Sequence, residues 1–360
     1  LYVAAGFDTG IRAGDFHDLI LYVLLPVLVF QAALTIDVRL LLRNLAPILL
    51  LAVPGTLLGA AATAVLVYLG IGHPTGFPWI AALLTGVLLS ATDPAAVLAV
   101  FARLGVPERL TVLTEGESLF NDAVAIVVFQ LLVAMALGGA PPGPLAAGLD
   151  FLWTLGAGLA AGGLSAWVLG WLLAWRQGWR QRLAVTLLAA YGAYFLAEKG
   201  LGASGVMGVL AAGLVLGSRL RRLEAPEVER VWSFNAWAAN MLVFLLMGVT
   251  VTAAMFTERW LAMLIGIGAA LVGRAVVFAL LPLAAWLPPR EPVPGAYGTV
   301  LYWGGVRGGV TLALALALPV ELEGWWTVQS IAFGVVLFSA FVQTPTVGPL
   351  ARRRGVAQAP

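Results

Sequence analysis

The chain has 360 residues, 61% of them hydrophobic and 11% charged, with a formal net charge of +2, and its mean hydropathy is +0.97. A soluble domain carries roughly 25% charged residues, so this composition excludes an ordinary soluble protein and indicates an integral membrane protein. Cysteine is absent and the two histidines, His17 and His73, flank apolar spans, which removes disulfides, thiolate metal sites and a histidine-built zinc or catalytic centre.

The opening LYVAAGFDTG reads as the tail of a hydrophobic segment, and Leu1 is not an initiator, so sequence upstream of it is expected. Apolar spans follow at roughly 18–36, 45–70, 79–102, 110–138, 151–175, 183–198, 203–218, 231–252, 260–287, 297–319 and 327–349, about 11 in all. Runs of this length indicate helices, because barrel strands are about 10 residues of alternating character. They predict an all-α polytopic membrane protein. LGGAPPGP, residues 137–144, reads as an outer loop before the fifth span.

Arginine alternates with the spans. Arg39 and Arg43, Arg103 and Arg109, Arg176, Arg180 and Arg182, Arg219, Arg221, Arg222 and Arg230, Arg290, and Arg352, Arg353 and Arg354 all follow odd-numbered spans. Loops after even-numbered spans hold only Lys199 and Arg259, and Arg12 precedes the first span. By the positive-inside rule the odd loops and the C-terminus are cytoplasmic. The Arg-rich loop 219–230 also suits contact with anionic lipid.

The remaining two basic residues, Arg274 and Arg307, lie within spans, as do the acids Asp93, Glu117 and Asp122. Asp93, Asp122, Arg274 and Arg307 each fall roughly 10 to 14 residues into a span, near the midplane at 1.5 Å per residue. Glu115 is nearer the cytoplasmic end. Intramembrane acids are costly and mark functional sites by default. In TEGESLFNDAVAIVVF, residues 114–129, Ser118 and Asp122 share one helical stripe, and Glu117 and Asn121 form a second about 100° away.

Two spans are interrupted. In SATDPAAV, Pro94 removes a backbone donor and disfavours helix at Asp93; in GGVRGGV, four glycines flank Val306 and Arg307. Broken helices survive at this depth only where they are buried in protein or line a cavity. The two interruptions run in opposite directions across the bilayer. Such paired interruptions point to a transporter of two inverted-topology repeats, with spans three and four corresponding to ten and eleven and span five between them.

Asp93, Ser118 and Asp122 offer hard oxygens, and an unwound turn at Thr92 frees backbone carbonyls, a set suited to a small desolvated cation such as Na⁺. Carboxylates of this kind also bind protons, so cation and proton compete for one buried site. Arg307 neutralises a buried acid in this reading. Arg274 counters Asp93 or Asp122, or extends into a water-filled cavity. The same acids also allow a cation channel, and Asp93 with Asp122 an intramembrane aspartyl hydrolase, although the G-x-G-D signature of the latter is absent.

SATDPAAV, GESLFNDAVAIVVF, GVMGVLAAGLVLG (residues 205–217), ANMLVFLLMGV (residues 239–249) and GGVRGGVTLALAL together resemble the monovalent cation/proton antiporters, specifically the sodium/proton exchanger branch. The resemblance implies one transmembrane transporter domain over 1–360, with crossed discontinuous helices and about 13 helices in the full-length protein. It implies an ion-binding core over 79–138, 203–252 and 297–349 and a dimerisation scaffold over 18–70, 151–198 and 260–287.

On the same resemblance Asp122 carries the ion or proton beside Asn121, with Thr92, Asp93 and Ser118 as further Na⁺ ligands and Glu117 paired with Arg307. Asn before Asp122 is similar to electroneutral members, and Gln31 stands where relatives commonly have Glu. The implied activity is one-for-one exchange of Na⁺, Li⁺ or K⁺ for H⁺ by an elevator-type movement, serving pH homeostasis. No enzyme activity, cofactor or nucleic-acid partner is expected. Lipid and a second copy of the chain are the expected partners, in a prokaryotic inner membrane.

Overall fold

A computed structural model describes residues 18–72, 76–138, 143–175, 178–286 and 293–357; His17, His73, Arg12, Arg176, Arg290 and residues 139–142 of the 137–144 loop lie outside them. The described residues form helices and no strands. In chain order these are α1 (Ile20–Thr35), α2 (Val38–Arg43), α3 (Leu45–Gly70), α4 (Trp79–Leu88), α5 (Ala95–Leu104), α6 (Glu108–Ala136) and α7 (Pro144–Trp175). There follow α8 (Trp179–Phe195), α9 (Gly205–Arg222), α10 (Pro226–Thr250), α11 (Ala253–Ala279), α12 (Gly295–Trp303), α13 (Gly309–Leu316) and α14 (Trp325–Arg353).

The third and tenth spans are the discontinuous ones: α4 and α5 are separated at Leu89–Pro94, and α12 and α13 at 304–308. With these counted as broken pairs and the short α2 set aside, the helices reproduce the eleven expected passes. Among the described residues, six helices are long and apolar enough to cross a membrane singly. The protein is therefore an all-α, multi-pass membrane protein of two inverted repeats with crossed broken helices.

Local chemistry explains where the broken span stops and starts. Pro94 occupies the N-cap position of α5, and the Asp93 carboxylate accepts the Ala95 N–H at 3.1 Å, replacing one of the bonds a helix start lacks. At the other end α5 stops at Gly105, whose φ of +60° a side chain would disfavour. Pro107 then caps α6.

Two packing groups emerge. In one, α3 packs on α4 and α11, α11 packs on α14, and α4 packs on α6. In the other, α9 packs on α7, α8 and α1, and α10 packs on α1. Residues 203–252 pack with the α1 and α7–α8 helices and also touch the broken pair through α10 on α13, while α3 and α11 pack against α4 and α12 respectively. The physical reason is close approach of backbones at glycine. A Cβ on Gly59 would strike Val277 and meet the Gly273 carbonyl, and one on Gly162 would strike Gly208. Small residues are what let helices associate where lipid competes for apolar surface. The second group is further pinned by Trp232, which stacks on Phe30 at 4.4 Å between centroids and donates its indole N–H to Thr186 at 2.9 Å.

Arg-rich connections gather at one end of the bundle. The Arg109 Nε donates to Asn44 Oδ1 at 3.0 Å, and Arg182 donates to the Leu223 carbonyl at 3.3 Å. Arg221 donates to the carbonyls of Thr35 and Ile36, at 2.9 and 2.7 Å, and so closes the C-terminus of α1.

Gly86 sits where α4 crosses α3, and an added Cβ would collide with the Ala60 carbonyl. Gly86→Val is expected to destabilise the protein by about 1–3 kcal/mol through overpacking, read as a lowered melting temperature in detergent, whereas Gly156→Val, where an added Cβ meets nothing within 4 Å, leaves it near the parent value.

Candidate functional site

The site is built where one turn of α6 meets the interruption between α4 and α5. The Thr92 N–H donates to Asp122 Oδ1 at 2.9 Å, Ser118 Oγ donates to the Thr92 carbonyl at 2.5 Å, and Asn121 Nδ2 donates to Thr92 Oγ1 at 3.1 Å. Every polar group of Thr92 is thus held by α6. Thr92, Ser118 and Asn121 are buried, while Asp93 and Asp122 retain partial exposure. The helical stripes read from sequence, Ser118 with Asp122 and Glu117 with Asn121, both face the break.

Asp93 lies at the crossing of the two broken spans. Its N–H donates to the Val306 carbonyl at 2.7 Å, and the Thr311 hydroxyl donates to the Ala91 carbonyl at 3.2 Å. Its carboxylate accepts from Ala95 N–H at 3.1 Å and from Gly309 N–H at 3.2 Å. One acid therefore stands at the N-terminal ends of both α5 and α13, where helix dipoles leave partial positive charge. Gly308 has to be glycine because its Cβ would fall on the Asp93 carboxylate.

The buried ion pair differs from the one expected. Glu117 is engaged by Arg274, not Arg307: Arg274 Nη1 donates to Oε1 at 2.7 Å and Nη2 to Oε2 at 2.8 Å. Asn121 Nδ2 adds a bond to Glu117 Oε1 at 3.1 Å. Arg274 also donates to the Leu301 carbonyl at 3.1 Å and lies over the Phe278 ring, 4.8 Å from its centroid. Its guanidinium packs flat on Gly305, with no room for a Cβ.

Arg307 instead turns back onto backbone. Its Nε donates to the Leu89 carbonyl at 2.7 Å and its Nη1 to the Gly305 carbonyl. Leu89 is the residue that closes α4, so Arg307 satisfies carbonyls that the interruption orphans. The reason for the exchange of partners is reach: α11 packs between α3 and α14 and brings a long side chain alongside Glu117, while the Arg307 side chain is consumed by the break it belongs to.

Sequence reasoning missed further participants. Ser339 Oγ accepts the Arg307 N–H at 3.2 Å and donates to Gln343 Oε1 at 2.6 Å, and Gln343 Nε2 donates to the Trp303 carbonyl at 3.4 Å. Both residues lie in a π-helical turn of α14, Ser339–Gln343, a distortion frequent near functional sites. Two polar residues four apart in the otherwise apolar FSAFVQTP were the available signal. Asn240, in the ANMLVF segment, lies with its Oδ1 where a Gly309 Cβ would be.

Glu117→Gln leaves Arg274 buried without its anion and is expected to cost about 3–5 kcal/mol, as is Arg274→Met on its own. Replacing both is expected to recover most of the loss. A double-mutant cycle by thermal denaturation gives a large coupling for Glu117 with Arg274 and near-additivity for Glu117 with Arg307; the reverse ranking contradicts this pairing.

Comparison with known proteins agrees with this fold. Residues 3–353 match the model of the sodium/hydrogen exchanger transmembrane family. The chain is 38% identical over 344 residues to the Na(+)/H(+) antiporter ApNhaP of Aphanothece halophytica, covering 94% of this chain and 65% of that protein. It is 36% identical over 339 residues to the low-affinity Na(+)/H(+) antiporter NhaS1 of Synechocystis, covering 91% of this chain and 63% of the relative. The chain thus spans just under two thirds of the length of these relatives. Its fold matches that of the sodium proton antiporter MjNhaP1 of Methanocaldococcus jannaschii with a TM-score of 0.78, at 20% identity, over 95% of this chain and 88% of that one. The chain belongs to the sodium/hydrogen exchanger transmembrane family.

Proposed function

We propose that the chain is the membrane unit of a secondary antiporter that exchanges Na⁺, or Li⁺ or K⁺, for H⁺, one for one, by competition of cation and proton for Asp122. The observation that carries this reading is a local charge balance. Asp93 faces two helix N-termini, each worth roughly +0.5 charge, and Arg307 faces carbonyls at the C-terminal ends of broken helices, each end worth roughly −0.5. Glu117 and Arg274 cancel each other. Asp122 is then the acid whose counter-charge has to arrive from outside, as a metal ion or a proton.

Ligands for a cation lie around it. Asp122 has its second oxygen free of the Thr92 N–H, and rotation of the Ser118 hydroxyl releases both its own oxygen and the Thr92 carbonyl toward an ion. Asp93 adjoins the same turn and keeps lone pairs beyond its two helix caps. A few oxygens with one uncompensated carboxylate suit a monovalent cation better than a divalent one. Because either occupant neutralises Asp122, the loaded unit is uncharged in both directions of travel, while the empty charged form is costly to move through lipid. The names borne by the relatives, Na(+)/H(+) antiporters, support Na⁺ and H⁺ as the exchanged ions.

Alternating access in this reading is an elevator-type displacement of α3–α6 with α11–α14 against a scaffold of α1 and α7–α10, the scaffold also carrying the contact with a second copy. The arginine-rich end of the bundle is cytoplasmic, with the C-terminus on that side, in the inner membrane of a prokaryotic cell.

Purified protein in proteoliposomes is expected to couple Na⁺, Li⁺ or K⁺ gradients to a pH change. Asp122→Asn is expected to abolish that signal, and retained exchange in this variant removes Asp122 from the carrier role. Turnover is expected to be nearly independent of membrane voltage; steep voltage dependence contradicts one-for-one exchange, and uncoupled flux at channel rates contradicts antiport altogether.

A further inference from the structure

Asn121 has a second side that the ion site does not use. Its Nδ2 is committed to Thr92 Oγ1 and Glu117 Oε1, which turns the trigonal amide so that Oδ1 points away from both. The residue is 1% exposed, and Oδ1 has no hydrogen-bond partner among the described residues. Native proteins rarely leave a buried acceptor in that condition. Flipping the amide does not relieve it, because Oδ1 would then oppose a carboxylate oxygen of Glu117.

Asn121 also lines a cavity of about 10 Å³, together with Thr56, Thr63, Ser90, Arg274 and Arg307, about the space that one water needs. Three more groups on its wall lack a hydrogen-bond partner among the described residues, the buried Arg274 Nε being one. Arg307 directs Nε and Nη1 to carbonyls, which leaves Nη2 without an acceptor among the described residues. Thr56, 4% exposed, makes no hydrogen bond to a described residue through its hydroxyl.

We propose that one ordered water occupies this cavity, donating to Asn121 Oδ1, accepting from Arg307 Nη2 and completing its set at Thr56 Oγ1. It thereby holds the Asn121 amide against Thr92 and Glu117 and links Asn121 to the second broken span. The occupant must accept from a guanidinium and donate to an amide oxygen, which water does. A halide would oppose Oδ1, and a metal cation would oppose two guanidinium groups. Occupancy of the cavity is independent of the antiport reading; the effect on cation binding rests on it.

The test is a structure of the full chain at a resolution that reveals waters, from one sample in sodium chloride and one in sodium bromide. The expected result is a density peak within hydrogen-bonding distance of Asn121 Oδ1 and Arg307 Nη2, with no anomalous bromide signal. An empty cavity or a bromide peak overturns the proposal. In transport assays Thr56→Val is expected to raise the apparent KM for the cation roughly 3- to 10-fold with kcat retained, the size of one lost hydrogen bond, and to have no further effect in an Asn121→Ala background. An equal effect in both backgrounds overturns the positioning role, and a parent protein that transports nothing defeats the antiport reading while the density still decides the water.

Discussion

Inside a bilayer a helix end is a liability, since its unpaired backbone groups find no water and each orphan costs several kcal/mol. This protein places the interior ends of four helices, α4, α5, α12 and α13, at the same spot. The rest of the core is arranged to satisfy them: Asp93 takes N–H groups of α5 and α13, Arg307 takes carbonyls at the end of α4 and in the second break, and Ser339 and Gln343 reach in from α14 to complete the α12 side. The glycines around Val306 and Arg307 follow from the same constraint, because charged groups must come flush with the backbone to do this. A Cβ at Gly305 would meet Arg274, and one at Gly308 would meet Asp93.

Asn121 joins the two halves of this arrangement. It stands one helical turn from Glu117 and next to Asp122, and its amide bonds both to Thr92 and to the acid held by Arg274. The neutral pair Glu117–Arg274 is therefore mechanically tied to the turn of Thr92 and Asp122 without contributing net charge to it. A buried pair of this kind adds little net stability relative to apolar packing; its value here is directional, since the bidentate fork fixes Glu117, which in turn fixes Asn121.

Much of the fold was legible in the sequence. The lengths of the apolar runs, the alternation of arginine between them, and the proline and glycine interruptions at equal depth reproduce the observed passes and both breaks. The stripes on α6 followed from helical periodicity alone. Partnership among buried charges was not legible, because it depends on which helix lies beside which, and Arg274 and Arg307 sit at similar depth on neighbouring spans. Periodicity reports a residue's height and face but not its neighbour. Which helices pack together was not legible for the same reason: the approach of Gly59 to Gly273, or of Gly162 to Gly208, is a property of two distant segments that neither announces by itself.

The bond from Asp93 N–H to the Val306 carbonyl, with Thr311 reaching the Ala91 carbonyl, sews the unwound stretches of the two repeats together as adjacent strands would be sewn. Neither stretch can then shift on its own: a displacement of one is imposed on the geometry of the other. A substitution that reshapes one unwound stretch therefore has to be accommodated in the other, and the two are redesigned together or not at all.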